Sequence, residues 1–108
     1  MKTEITDKQL NVLKSYIQEQ INSELEGLKL ESEDWGLGEI MDDIDELESI
    51  ESITVDRIVP YLGIVVYVTI KSNNEERDDF GNIMAELNYR IRSWVPNIKI
   101  FIDSVEYL

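Results

Sequence analysis

The sequence predicts an α+β fold: an N-terminal helix and a short acidic helix, then a ββαβ unit whose three-stranded sheet carries its helices on one face. Three observations predict it. Apolar residues recur every three or four positions through the first quarter of the chain. The segment Ile64 to Lys71 is dense in β-branched residues. A helical apolar period from Phe80 to Trp94 then separates it from the alternating Ile98-Lys99-Ile100-Phe101-Ile102. A chain of 108 residues has room for one ordinary domain. Within it, 1–28 is the helix, 29–51 an acidic segment and 52–108 the ββαβ unit.

The first helix announces its own start. Thr6-Asp7-Lys8-Gln9 is a capping box, with Thr6 as N-cap and Gln9 at the third helical position. Ile5 and Leu10 stand where a hydrophobic staple would close. Leu10, Leu13, Ile17, Ile21, Leu25 and Leu28 form one stripe, and Gly27 is the expected stop, which places the helix over 7–26.

The next stretch, Glu31 to Glu51, holds ten acids, and no base occurs between Lys29 and Arg57. Leu37, Ile40, Met41, Ile44, Leu47 and Ile50 keep a helical period through it, so a short amphipathic helix is expected over 37–49, entered through Trp35-Gly36-Leu37-Gly38.

The second half begins with a strand over 52–59 and turn chemistry at Pro60-Tyr61-Leu62-Gly63. A second strand follows over 64–71, paired antiparallel with the first. Asn73 is the expected cap of the next helix, with Glu76 at its third position. Phe80, Ile83, Met84, Leu87, Ile91 and Trp94 make its apolar face, and Pro96 ends it. The last strand covers 97–103. Joined through a helix, the second and last strands should run parallel in a right-handed crossover.

The ββαβ order and the Val95-Pro96-Asn97-Ile98 strand entry resemble, over 53–106, two small α+β families. These are the C-terminal domain of cation-efflux transporters and the KH-like domain of ribosome-binding factor A. The metal-binding histidines of the first are missing here, and acid replaces the basic RNA-facing surface of the second. No site residue carries over from either.

Absent residues narrow the function. The chain has no cysteine and no histidine. Disulfides, thiolate nucleophiles and Cys-ligated metals are excluded, as are Ser-His-Asp and Cys-His triads within the chain. The usual general base near neutral pH is also gone. No glycine-rich phosphate loop occurs among the five scattered glycines. The carboxylates Asp42, Asp43, Asp45, Glu46 and Glu48 lack the glycine turn of a calcium loop, and their helical period makes them a solvated helix face. No catalytic residue, cofactor or metal is expected, and the protein is not expected to be an enzyme.

Charge points the same way. With 23 acids against 10 bases the net charge is −13, which repels phosphate backbones and anionic membranes and favours protein partners with a basic surface. No apolar run is long enough to cross a bilayer, and Met1 to Ile5 opens no secretory signal. The expected location is the cytoplasm, or a virion assembled there.

Aromatic residues on the sheet supply a contact surface. If Ile64, Val66, Val68 and Ile70 face the helices with Ile98, Ile100 and Ile102, then Val65, Tyr67, Thr69, Lys71 and Phe101 face away. Such a face suits protein contact, unless the acidic helix folds across it. Tyr107 and Leu108 add an apolar chain end. The expected interface is therefore Asp42, Asp43, Asp45, Glu46, Glu48, Val65, Tyr67, Phe101 and Tyr107. The expected function is a non-catalytic subunit of a homo- or hetero-oligomeric assembly, such as a connector or tail-completion component of a phage particle. The alternative is an acidic inhibitor or immunity-type protein that blocks a basic, nucleic-acid-binding site on its target.

Overall fold

The structure, a computed structural model, describes residues 6–32, 46–60, 63–75 and 80–108. Its elements are α1 (Asp7–Glu31), β1 (Ile50–Pro60), β2 (Ile64–Ser72), α2 (Gly81–Ile91) and β3 (Ile98–Tyr107). A single helical turn over 46–49 leads into β1. The fold is α+β, with helices packed on a three-stranded mixed sheet.

α1 begins as its capping box dictates. The Thr6 hydroxyl accepts from the Gln9 backbone N–H at 3.2 Å, and the Gln9 side chain accepts from the Thr6 N–H at 2.9 Å. Ile5, the other half of the expected staple, lies outside the described residues. The helix does not stop at Gly27 but runs to Glu31, with Ser32 as its C-cap. Leu28 explains the overrun, because it is buried to 1% exposure. Burying a leucine is worth about 1.5–3 kcal/mol, more than the ~1 kcal/mol a mid-helix glycine costs. Lys29 adds a hold, donating from Nζ to the Ile50 carbonyl at 2.7 Å.

The strand order is β1-β2-β3, with β1 antiparallel and β3 parallel to the central β2. Both edge strands slip against β2, β1 at Glu51 and again at Asp56, β3 once. In β1 the pairing jumps from Val55 to Arg57, leaving Asp56 as the extra residue. In β3 it jumps from Ile102 to Ser104, leaving Asp103. A bulge of this kind reverses the inside-outside alternation beyond it. Ile53 and Val55 are buried before the Asp56 bulge, and Ile58 turns inward after it. β3 runs on to Tyr107, past the expected end at 103, because the bulge returns Val105 to the core side and the Leu108 N–H reaches the Ser72 carbonyl.

α2 departs from expectation at both ends. It starts at Gly81 with no side-chain cap, so Asn73 does not cap it. Asn73 instead donates its N–H to the Ser49 carbonyl at 2.8 Å, tying the end of β2 to the turn before β1. Glu76 lies outside the described residues. At the other end the helix stops at Ile91, and Trp94, expected on the apolar face, is 58% exposed. Val95 packs against the core in its place. The chain then turns through Asn97, at φ 64°, into β3. Gly63 meets it there at φ 126°, and the Ile64 N–H donates to the Asn97 carbonyl at 3.2 Å.

The core is one cluster. Ile17, Ile21, Leu25 and Leu28 of α1 and Ile83, Met84, Leu87 and Ile91 of α2 pack over Ile53, Val55, Val66, Val68, Ile70, Ile98 and Ile100. The two helices are clamped by Arg90, which takes both Glu31 oxygens, at 3.1 and 2.5 Å, and Glu86 at 2.9 Å. These bonds hold the Glu31 carboxyl below its ordinary value, chiefly by hydrogen bonding to Arg90, and raise the Arg90 guanidinium.

Candidate functional site: the open face of the sheet

With the helices on one side, alternation and the bulges compose the other side in rows. Val59, Val65 and Lys99 are aligned in register, followed by Arg57, Tyr67 and Phe101, then Thr54, Thr69 and Ser104, then Ser52, Lys71 and Glu106. The second row is the apolar centre. The rings of Tyr67 and Phe101 lie 6.0 Å apart at a tilt of 33°, within the range of a favourable aromatic pair. The Arg57 guanidinium sits 4.1 Å above the Tyr67 ring centroid, a cation–π contact. Phe101 is 49% exposed, so half its ring remains available.

The next row is a polar chain across all three strands. The Thr69 hydroxyl donates to the Asp56 carboxylate at 2.5 Å and lies 2.9 Å from the Ser104 hydroxyl. A hydroxyl has one proton, so Ser104 must donate to Thr69. This chain fixes both bulges against β2 and sets the register of the aromatic row beside it.

The sheet edges are partly closed by helix side chains. Gln18 of α1 donates to the Ile53 carbonyl at 2.8 Å and accepts from the Val55 N–H at 2.7 Å. An amide so placed does what a neighbouring strand would do. On β3, Asn88 accepts from the Ile100 N–H at 3.0 Å, and Arg92 donates to the Ile98 carbonyl at 3.3 Å.

The residues expected at the interface fall in different places. Val65, Tyr67 and Phe101 come together on the open face. Tyr107 ends β3 opposite Ser72, away from the aromatic row. Asp42, Asp43 and Asp45 lie outside the described residues. Glu48 is exposed on the helical turn, and the Glu46 carbonyl accepts from the Ser49 hydroxyl at 2.6 Å. Leu47 on that turn is fully buried in the core on the helix side, so this part of the acidic segment does not cover the open face.

Arg57, Lys99, Gln18 and Asn88 were not visible as site residues in the sequence. Strict alternation puts Arg57 inside with Val55, and only the bulge at Asp56 turns it outward. Among the described residues no group of three or more acids could hold a metal ion, and no helix is long and apolar enough to cross a membrane. Comparisons with protein-family models, with curated proteins and with solved structures return no match.

Proposed function

We infer that this protein is a non-catalytic binding subunit that joins a larger protein assembly through the open face of its sheet. One observation carries the reading: the Arg57–Tyr67–Phe101 row is ordered by its own contacts yet left accessible. Tyrosine, arginine and phenylalanine on a rigid strand surface are the residues that protein interfaces concentrate. The partly capped edges favour the same surface, because they hinder strand addition along β1 at 53–55. The absence of histidine and cysteine leaves little for covalent or acid–base chemistry, which supports binding over catalysis.

The test is co-purification from the protein's own source. Tagged wild type should elute in a complex larger than the free chain, and the Tyr67→Ala, Phe101→Ala double variant should elute free while keeping its circular dichroism. A folded double variant that stays in the complex rejects the open face as the interface.

A further inference from the structure

The backbone edges of the sheet are closed unevenly. Helix side chains bond β1 at Ile50, Ile53 and Val55, and β3 at Ile98 and Ile100. The remaining edge of β1 beyond Asp56 is short and ends in Pro60, which has no N–H to pair. On β3 the stretch from Ile102 to Tyr107 remains. The Leu108 N–H points inward to the Ser72 carbonyl, so alternation turns the backbone groups of Val105 and Tyr107 outward. Ile102 follows the outward groups of Ile98 and Ile100 in the same way. Among the described residues no hydrogen bond reaches these three on their outer side. We propose that this stretch takes an extended segment of another protein as a fourth strand, one in which basic and apolar residues alternate. The edge is separate from the aromatic row, and the proposal does not depend on the binding role inferred for that row.

Side-chain alternation and charge select the occupant. Ile102, Val105 and Tyr107 lie on the helix side of β3, where Ile102 is 38% and Tyr107 41% exposed. That surface suits an apolar neighbour. Ser104 and Glu106 lie on the other side, with Asp103 at the bulge. The stretch therefore carries two acids and no base. Lys71 stands in register with Glu106, but among the described residues no ion pair reaches Asp103. The local charge has the sign of the whole chain, −13, so both favour a basic strand over an acidic one or over nucleic acid. A second copy is disfavoured too, because it would bring its own two acids and no base to the pairing. An added strand draws affinity from main-chain hydrogen bonds and specificity from its alternate side chains.

The experiment is an NMR titration of the full chain at low salt, read by amide hydrogen exchange, with three hexapeptides that match the length of the open stretch. The first, acetyl-Lys-Val-Lys-Val-Lys-Val-amide, alternates. The second, acetyl-Lys-Lys-Lys-Val-Val-Val-amide, has the same charge without the alternation. The third has glutamate for every lysine of the first. Only the first should slow exchange of the Ile102, Val105 and Tyr107 amides, by about tenfold when the peptide is at roughly ten times its Kd. Asp103→Asn with Glu106→Gln should weaken its binding roughly fivefold, the effect of two exposed charge pairs, with the free spectrum otherwise unchanged. Equal protection by both lysine peptides would reduce the effect to charge and overturn the strand. Protection by the glutamate peptide, or an unchanged affinity in the double variant, would overturn the basic occupant. Shifts without slowed exchange at the three amides, or no response to any peptide, would overturn the proposal. So would protection in the free chain that is lost on dilution, which would put a second copy at this edge. None of these outcomes bears on Tyr67 and Phe101, whose role co-purification decides.

Discussion

Arg57 lies over the ring of Tyr67 because Asp56, the residue before it, is the extra residue of a bulge. Without that bulge, Arg57 would follow Val55 into the core and the open face would lose a cation. The Asp56 carboxylate is held by Thr69, which also bonds Ser104 beyond the β3 bulge at Asp103. The polar row thus holds the geometry on which the aromatic row depends.

Gln18 should protect the β1 edge as well as the fold. Gln18→Leu keeps the size of the side chain but leaves the Ile53 carbonyl and Val55 N–H without their partner. The expected loss is about 1–3 kcal/mol in urea unfolding. Sedimentation should also show concentration-dependent association, since an opened edge invites strand pairing. A monomer of unchanged stability would mean that water serves those groups equally well.

At Gly63 the backbone itself excludes a side chain. An added Cβ would sit 2.6 Å from the Asn97 carbonyl oxygen, at a φ of 126° that other residues rarely adopt. Gly63→Ala should therefore cost about 1–3 kcal/mol and disturb the amide signals of Asn97 and Ile98. Unchanged thermal stability would contradict this contact.

Leu87 is fully buried between the sheet and α1, whereas Ile100 lies nearer the β3 edge at 9% exposure. Leu87→Ala should cost roughly 2–5 kcal/mol, and Ile100→Ala should fall toward the lower end of that range. Denaturant midpoints at constant slope measure both. The reverse order would misplace the centre of the core.

The Arg90 clamp should give a pH-dependent increment of stability. The folded carboxyl of Glu31 titrates below its ordinary value of 4.5. Its contribution is then fully present above that value and is lost as pH falls through the lower folded value. Glu31→Gln should melt below wild type at neutral pH, and the gap should close as acid protonates Glu31 in the folded protein. A gap that stays constant throughout the acid titration would show that charge plays no part in the clamp. Raised salt should narrow the neutral-pH gap, because the pair is exposed.

The elements were legible wherever one residue pattern decided them. The Thr6–Gln9 box and the buried stripe of α1, the β-branched run of β2 and the Phe80–Ile91 period all reappear in the structure. Ends were harder, because packing outweighed local preference. Leu28 drew α1 through Gly27, and Val95 displaced Trp94 from the core. Tyr67 and Phe101 could be read as an outward pair from parity alone. Arg57 could not, since a bulge leaves no mark in a run such as Thr54-Val55-Asp56-Arg57-Ile58 that either register accommodates.

The central claim is that the aromatic row holds the partner. Its most direct test is the dissociation rate of the purified native complex, measured at low and high salt for Tyr67→Ala, Phe101→Ala and Trp94→Ala. Trp94 serves as the control, an exposed aromatic outside the open face. Buried aromatic anchors act mainly on dissociation. Tyr67→Ala and Phe101→Ala should each shorten the lifetime by about tenfold or more at either salt level, with Trp94→Ala close to wild type. Wild-type lifetimes for both open-face variants, with a shortened one for Trp94→Ala, would contradict the account and move the interface to the turn between α2 and β3.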